Sequence, residues 1–222
     1  MSANELRQPI VVLISGRGGN MRALVERSSD AAMGYRVAGV LSDHAGAAGL
    51  LKAAELGIPA QALESDKGIT RADYDRALAG AIDVYEPRLI VLAGFMRILS
   101  AEFVERYAGR ILNIHPSLLP KYPGLHTHQR VIDAGDPEHG ATVHFVTEEL
   151  DGGPAVIQAK LEVSSGDDAG SLALRVQTLE HRIYPLAVRW FCTGRLRVCG
   201  GRAWLDGAAL AGPVQYDAIK EQ

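Results

Sequence analysis

The chain has 222 residues, of which 47% are hydrophobic and 22% are charged, and its formal net charge is −3. This composition is typical of a folded globular protein and excludes a disordered or fibrous chain. It lacks the basic field that nucleic acid binding needs, and no apolar run approaches the roughly 18 residues of a membrane span. The polar N-terminus has no signal-peptide pattern. We therefore expect a cytoplasmic protein without nucleic acid or membrane partners.

The first half of the chain alternates strand and helix patterns. Short aliphatic runs at residues 10–14, 37–41 and 89–92 predict strands buried on both faces of a parallel sheet, and a shorter run at 111–114 predicts a fourth. Residues 71–85 carry apolar side chains at helical spacing. Strand, helix and strand in repetition indicate right-handed crossovers and a parallel sheet.

The pattern changes after about residue 140. Residues 141–146 and 155–163 predict a hairpin or a neighbouring pair of strands. A long helix follows, capped by Asp167 or Asp168, and Pro185 inside it is expected to cause a kink. The tail after residue 195 predicts a small C-terminal hairpin. The expected fold is one α/β domain over residues 1–222, Rossmann-like, with an open, mostly parallel twisted sheet and helices on both faces.

A glycine-rich segment, Ser15-Gly16-Arg17-Gly18-Gly19-Asn20, follows the first strand and precedes a helix expected to begin near Met21. Glycines permit a tight turn there, and the free N–H groups of a helix N-terminus suit phosphate. The segment is not the dinucleotide fingerprint, whose third glycine would fall at Met21. A phosphate site is favoured, and a glycine-rich turn without a ligand remains the alternative.

Two polar residues end the fourth predicted strand. Asn113 and His115 point the same way from its carboxyl end, the edge at which open α/β sheets bind ligands. The amide can donate to a developing oxyanion while the imidazole handles protons. Asp151 lies in a tight turn, where it is either a turn former or a carboxylate that favours protonated His115. A purely structural histidine remains the alternative.

A metal site is disfavoured by the pattern of the remaining histidines and cysteines. His126 and His128 lack the i, i+4 helical spacing of a zinc-binding pair, and no cysteine accompanies them. Cys192 and Cys199 form no CxxC pair and suit a reducing compartment.

Three long strings of sequence carry a family resemblance. Residues 93–99, 113–120 and 150–154 together resemble the folate-dependent formyltransferases. Residues 121–128 and 175–181 resemble the branch of that family that formylates phosphoribosylglycinamide. The resemblance covers nearly the whole chain. It implies transfer of a formyl group from 10-formyltetrahydrofolate to the amine of phosphoribosylglycinamide in purine biosynthesis, without a metal.

The resemblance also implies roles for particular residues. The phosphate would lie in an N-terminal half, residues 9–110, and the folate and the catalytic groups in a C-terminal half, residues 111–222. The family's phosphate loop usually reads Gly-Ser-Asn, so Gly19 in this chain removes a serine hydroxyl. The implied catalytic residues are Asn113, His115 and Asp151, supported by His144; the ribonucleotide residues are Gly18, Gly19, Asn20, Gln177 and Glu180; the folate residues are Arg71, Met96, Arg97, Ile98, Leu99, Asn113, Thr147, Glu148, Glu149, Leu150 and Asp151.

Other functions would account for parts of the same sequence pattern. Methionyl-tRNA formyltransferase adds a C-terminal RNA-binding domain for which this chain has no room. Formyltetrahydrofolate hydrolase adds an N-terminal regulatory domain, whereas here the first strand is expected by about Pro9. A non-catalytic nucleotide-binding module would use the glycine loop and Asp43, but it leaves Asn113, His115 and Asp151 unexplained. Either a monomer or a homodimer is expected.

Overall fold

The computed structural model describes residues 7–65 and 68–216. Its strands, in chain order, are β1 (Gln8–Ile14), β2 (Tyr35–Ser42), β3 (Ala60–Ala62), β4 (Leu89–Leu92), β5 (Ile111–His115), β6 (Glu138–Phe145), β7 (Ala155–Glu162), β8 (Leu196–Cys199), β9 (Arg202–Leu205), β10 (Ala208–Ala209) and β11 (Val214–Tyr216). Eight of them form one sheet in the order β11-β7-β6-β5-β4-β1-β2-β3, and β8 to β10 form a small second sheet.

The large sheet is parallel from β3 to β5 and reverses at β6. Strands β1, β2, β3, β4 and β5 pair in parallel, and β6 then pairs antiparallel with both β5 and β7. Because β1 lies beside β4, the strand order reverses between them, and open α/β sheets bind ligands outside the carboxyl ends of strands at such a point. The fold therefore opens a site at the ends of β1, β4 and β5.

Helices cover both faces of this sheet, as the sequence pattern predicts. The helices are α1 (Gly19–Arg27), α2 (Ala48–Glu55), α3 (Arg71–Asp83), α4 (Ala101–Arg106), α5 (Thr127–Ala134) and α6 (Ala169–Cys192). Alternate side chains of β1 enter two separate cores: Ile10 and Val12 pack with residues of α1 and α6, and Val11 and Leu13 pack with residues of α3 and α4. This alternation is the period-2 geometry of a strand buried on both sides.

The long helix α6 spans the core behind the site. Asp168 caps it, accepting from Ser171 N at 2.7 Å, and the Ser171 hydroxyl accepts from Asp168 N at 2.9 Å. The helix continues through Pro185 to Cys192. Tyr184, fully buried, has its hydroxyl 2.8 Å from the Leu92 carbonyl and 3.0 Å from the Leu112 carbonyl. Helix α6 is thereby tied to both central strands near the site.

The structure differs from the sequence expectations mainly in its short elements. The pattern did not predict α2, α4, α5, β3 or β11, because segments of eight residues or fewer carry too little periodicity to distinguish them from loops. Helix α1 begins at Gly19 and not near Met21. The C-terminal hairpin has a third strand, and β11 leaves it to pair with β7 in the large sheet. Among the described residues, no helix is long and apolar enough to cross a membrane.

Candidate active site

A cleft of about 900 Å³ opens at the carboxyl ends of β4 and β5. The segment after β4, residues 95–99, forms one wall, and the turn after β6, residues 146–151, forms another. The polar side chains of Asn113, His115 and His144 line its floor, and Asn20 and Glu180 line the end nearest the glycine-rich segment. The cleft thus combines an apolar wall, a polar floor and a neighbouring helix N-terminus.

Asn113 and His144 face each other across the antiparallel pair. The two residues are direct partners in the β5–β6 register, and Asn113 Nδ2 lies 3.1 Å from His144 Nε2. His144 Nδ1 lies 2.9 Å from the Phe145 carbonyl, which only accepts. Burial lowers the pKa of His144, so the ring is neutral with its proton on Nδ1. His144 Nε2 therefore accepts from the Asn113 amide and fixes its orientation.

Asp151 is brought to His115 by the turn that follows β6. Its Oδ2 lies 3.4 Å from His115 Nδ1 and accepts from Gly124 N at 2.8 Å, and both ionisable side chains are only 7% exposed. His115 Nε2 lies 2.9 Å from the carbonyl of Tyr122. Both ring nitrogens of His115 therefore face oxygen acceptors, and a ring protonated at both positions satisfies both contacts.

The turn that carries Asp151 is packed closely against β6. Asp151 adopts a left-handed conformation with φ of 53°, which Asp tolerates better than most residues. At Gly153, an added Cβ would lie 1.8 Å from the Phe145 carbonyl oxygen, so only glycine fits. Phe145 N donates to the Pro154 carbonyl at 3.0 Å. These contacts fix where the Asp151 carboxylate enters the cleft.

The glycine-rich segment lies at the other end of the cleft. Gly18 has a φ of 72°, and an added Cβ there would lie 2.8 Å from Gly49 Cα, so this glycine is required. Helix α1 starts at Gly19 with no side-chain cap, which leaves its first N–H groups available to an anion. A Cβ at Gly19 would lie 2.8 Å from Gln177 Nε2, so Gln177 reaches the same loop from α6.

Asn20 joins this segment to α6 through a carboxylate. Its Nδ2 donates to Glu180 Oε2 at 2.8 Å, and burial raises the pKa of Glu180. Asn20 and Glu180 line the cleft, whereas Gly18, Gly19 and Gln177 lie beside it. The five predicted ribonucleotide residues are therefore neighbours at one end of the site.

The predicted folate residues fall into two groups. All of residues 96–99 and 147–151 line the cleft, and the Arg97 guanidinium stacks 3.8 Å from the centre of the Tyr74 ring. Arg71, by contrast, is an exposed residue at the start of α3 and is absent from the cleft lining. Its role in folate binding stays a prediction.

Sequence reasoning missed several groups in the site. The carbonyl of Tyr122 and the N–H of Gly124 contact the catalytic candidates through backbone atoms, which leave no side-chain signal in a sequence. His126 and His128, which sequence reasoning weighed only as metal ligands, flank the start of α5 and line the cleft. His128 Nδ1 lies 2.9 Å from His139 Nε2 on β6. The density of histidines between residues 115 and 144 was the available signal.

The fold and the site are those of an enzyme that acts on small molecules in a cleft at the edge of the sheet. Comparison with known proteins identifies its family. Residues 8–188 match the sequence model of the formyl transferase family. The chain belongs to this family, which confirms the resemblance drawn from its sequence strings.

Particular relatives narrow the comparison. Phosphoribosylglycinamide formyltransferase of Escherichia coli strain K12 is 53% identical over 201 residues, which cover 90% of this chain and 95% of that protein. The trifunctional purine biosynthetic protein adenosine-3 of Drosophila melanogaster is 42% identical over 193 residues, which cover 86% of this chain and 14% of that longer protein. The structure of phosphoribosylglycinamide formyltransferase from Coxiella burnetii superposes with a TM-score of 0.90 at 44% identity, covering 95% of this chain and all of that one.

Proposed function

We propose that this member of the formyl transferase family transfers the formyl group of 10-formyltetrahydrofolate to the amine of phosphoribosylglycinamide. One observation carries the proposal: Asn113, His115 and Asp151 meet in a single cleft between an apolar wall and an anion-binding helix N-terminus. The names of these relatives support the same substrates and a place in purine biosynthesis.

The glycine-rich segment would hold the ribonucleotide. Backbone N–H groups at Gly18 and Gly19 suit a phosphate, and the Gln177 amide beside them adds a donor. Asn20 and Glu180 form the hydrogen-bonded pair nearest the cleft, and the Glu180 carboxyl group suits ribose hydroxyls. Bound in this way, the ribonucleotide directs its amine toward the floor of the cleft.

The folate would lie along the two walls. Residues 96–99 offer exposed apolar side chains, Met96 and Ile98 among them, for the flat parts of the molecule. The turn at residues 147–151 offers polar backbone and carboxylate groups on the opposite side. The formyl group would then reach Asn113 and His115.

The reaction moves one carbon between two nitrogens. The ribonucleotide amine attacks the formyl carbon, negative charge builds on the formyl oxygen, and the bond to the folate nitrogen breaks. The amine loses a proton and the folate nitrogen gains one, so protons and charge balance. Asn113 Nδ2 carries two hydrogens, and it donates one of them to His144 Nε2. The other would be donated to the oxyanion, and one such donor typically lowers a barrier by about 3 kcal/mol.

His115 would supply the second donor. In this structure its Nε2 lies 2.9 Å from the Tyr122 carbonyl, and in the reaction its Nε2–H exchanges that carbonyl for the formyl oxygen. Asp151, whose Oδ2 lies 3.4 Å from Nδ1, faces that ring nitrogen and keeps the ring oriented. A ring protonated at both nitrogens cannot accept a proton, so the proton leaving the amine passes to Asp151 or through water.

A coupled assay tests the function. Consumption of 10-formyltetrahydrofolate should require phosphoribosylglycinamide, and formate release without it would indicate a formyltetrahydrofolate hydrolase instead. His115→Ala and Asp151→Asn should lose most of kcat, about a hundredfold or more, while the ribonucleotide still binds. Asp206→Asn, in an exposed pair with Arg195, serves as the matched control and should keep full activity. Near-normal turnover in both site variants would remove these residues from the mechanism.

The proposed function also indicates the cellular compartment in which the protein works. We propose that the protein works on small-molecule substrates in the cytoplasm, where Cys192 and Cys199 remain free thiols, as they are in the structure. Burial raises the pKa of Cys192 to about 12, which makes this thiol unreactive.

A further inference from the structure

The first residue of the glycine-rich segment lies outside the cleft lining, yet it contacts the wall that would hold the folate. Ser15 follows β1 directly, and its N–H donates to the Gly94 carbonyl at 3.0 Å. Its hydroxyl oxygen accepts from Met96 N at 2.8 Å, across 81 residues of sequence. One serine thus makes two hydrogen bonds to the segment after β4.

These contacts extend the pairing of β1 with β4 beyond the strands. Leu13 is the last residue of β1 that pairs with β4, opposite Leu92, and its carbonyl accepts from Ala93 N at 2.8 Å. Gly94 then turns with a φ of 77°, which takes the Met96 N–H out of reach of a regular backbone partner. The Ser15 hydroxyl replaces the missing carbonyl. The path of the folate wall therefore depends on one side-chain oxygen where the sheet ends.

Within residues 7–65 and 68–216, two further polar contacts hold this wall, and both come from α3 and not from the glycine-rich segment. In its middle, Arg97 stacks on the Tyr74 ring of α3. At its far end, Ser100 N donates to Asp75 Oδ2 at 2.6 Å, and Asp75 is also on α3. Ser15 is thus the contact by which the phosphate end of the site touches the folate wall.

The opposite side of the glycine-rich segment is also fixed. Gly49 N of α2 donates to the Gly16 carbonyl at 2.9 Å, and Lys52 Nζ donates to the Arg17 carbonyl at 2.9 Å. Because the segment is also anchored to α2, Ser15 attaches the folate wall to a part of the chain that has a second support. A wall displaced from this point would lose contacts with the bound folate and weaken its binding.

We propose that Ser15 is a positioning residue for the formyl donor: its hydroxyl sets the place of Met96 relative to the phosphate loop and so fixes the folate site against the ribonucleotide site. The inference rests on the proposed function. It assigns to Ser15 an effect on folate binding, although Ser15 belongs to the segment that would bind phosphate.

The test is calorimetric titration with a non-reactive 10-substituted folate analogue and, separately, with phosphoribosylglycinamide. Ser15→Ala should raise the Kd of the analogue about fivefold, the factor that corresponds to one neutral hydrogen bond, and raise the KM of the donor similarly. The Kd of the ribonucleotide and kcat at saturating donor should stay within about twofold. Ser15→Thr keeps the acceptor oxygen and should recover most of the affinity for the analogue.

Controls separate this role from others. Ser29→Ala removes a hydroxyl that only bonds the nearby Glu26 carbonyl and should change neither Kd. An unchanged analogue Kd in Ser15→Ala overturns the proposal, as does a weakening confined to the ribonucleotide, or an equal loss in the Ala and Thr variants. Equal weakening of both ligands with a lower Tm would indicate a structural role and also overturns it. If the unmodified protein binds no folate analogue, the proposed function itself fails, which is a distinct result.

Discussion

At the scale of single residues, the amide of Asn113 owes its orientation to a neutral histidine. His144 accepts from that amide only while its Nε2 carries no proton, and burial lowers the pKa of His144 and so favours that state. An Asn113 side chain free to rotate would present its oxygen to the developing oxyanion in part of the molecules. The histidine therefore acts on the reaction through its neighbour.

Replacing His144 should consequently reduce turnover without affecting ribonucleotide binding. For His144→Leu we expect kcat to fall ten- to hundredfold, the range that misplacement of a catalytic group produces. Steady-state kinetics and a ribonucleotide titration measure the two effects. His44→Leu, at an exposed position, is the control. A variant that retains more than half of kcat would show that Asn113 holds its orientation unaided.

Gly19 is the residue at which this chain departs from the family's usual serine. Its φ is not in the left-handed region, and the nearest atom to an added Cβ is Gln177 Nε2 at 2.8 Å, the end of a flexible side chain that would have to shift, followed by His181 Nε2 at 3.3 Å. A serine hydroxyl would add a phosphate donor next to the N–H groups of α1.

We expect Gly19→Ser to tighten ribonucleotide binding about threefold relative to Gly19→Ala, in line with one partly exposed hydrogen bond. Comparing these two variants isolates the hydroxyl, because both carry the same Cβ. The Kd of phosphoribosylglycinamide by titration is the measurement. Equal affinities would mean that the backbone N–H groups alone hold the phosphate.

At the scale of elements, α5 and β6 meet through two histidines, of which His139 is buried and His128 is half-buried. His128 Nδ1 lies 2.9 Å from His139 Nε2, a contact that needs at least one unprotonated ring. Burial lowers the pKa of both, that of His139 to about 4. The unfolded chain, in which a histidine has a pKa of about 6.5, takes up protons first as the pH falls.

The contact should therefore be lost in acid. Stability from this pair is fully present above about pH 6.5 and falls as the pH drops toward 4, by a loss on the order of 3 kcal/mol for His139. Thermal unfolding between pH 7.5 and pH 4 should show a steeper decline in Tm than in His139→Gln, whereas His44→Gln should behave like the unmodified protein. A His139 resonance that titrates near pH 6.5 would contradict the assignment.

At the scale of the whole molecule, much of the fold could be predicted from the sequence, but the change from parallel to antiparallel pairing between β5 and β6 could not. The aliphatic runs of β1, β2 and β4 predicted the parallel half because a strand covered on both faces must be apolar throughout. The pairing of β6 with β7 was also anticipated. The pairing of β6 with β5, which places His144 opposite Asn113, was not, since strand pattern does not encode strand neighbours.

The same limit applies to the site. Distant strings at residues 113–120 and 150–154 were joined by their resemblance to a family, not by any local pattern that could bring Asp151 to His115. Sequence alone could not predict the backbone contacts of Tyr122 and Gly124 or the positions of α5 and β11, which are evident only in the structure. The division into a phosphate half and a folate half remains a prediction.

Tyr184 shows how the sheet and α6 act as one body. Its single O–H is shared between two buried carbonyls at the central strands, and Tyr184→Phe would remove that donor from both. We expect a loss of roughly 1–3 kcal/mol in the free energy of unfolding, measured in urea. An unchanged midpoint in Tyr184→Phe would mean that water replaces the phenol.

Helix α6 contributes both to the proposed ribonucleotide site and to the core. Gln177 and Glu180 face that site, and one turn later the Tyr184 hydroxyl bonds to a buried strand carbonyl. Substrate affinity and resistance to unfolding therefore cannot evolve independently along this helix. A change that loosens its packing should shift the ribose-facing carboxyl group as well, and variants selected for a new sugar should carry compensating changes in the interior.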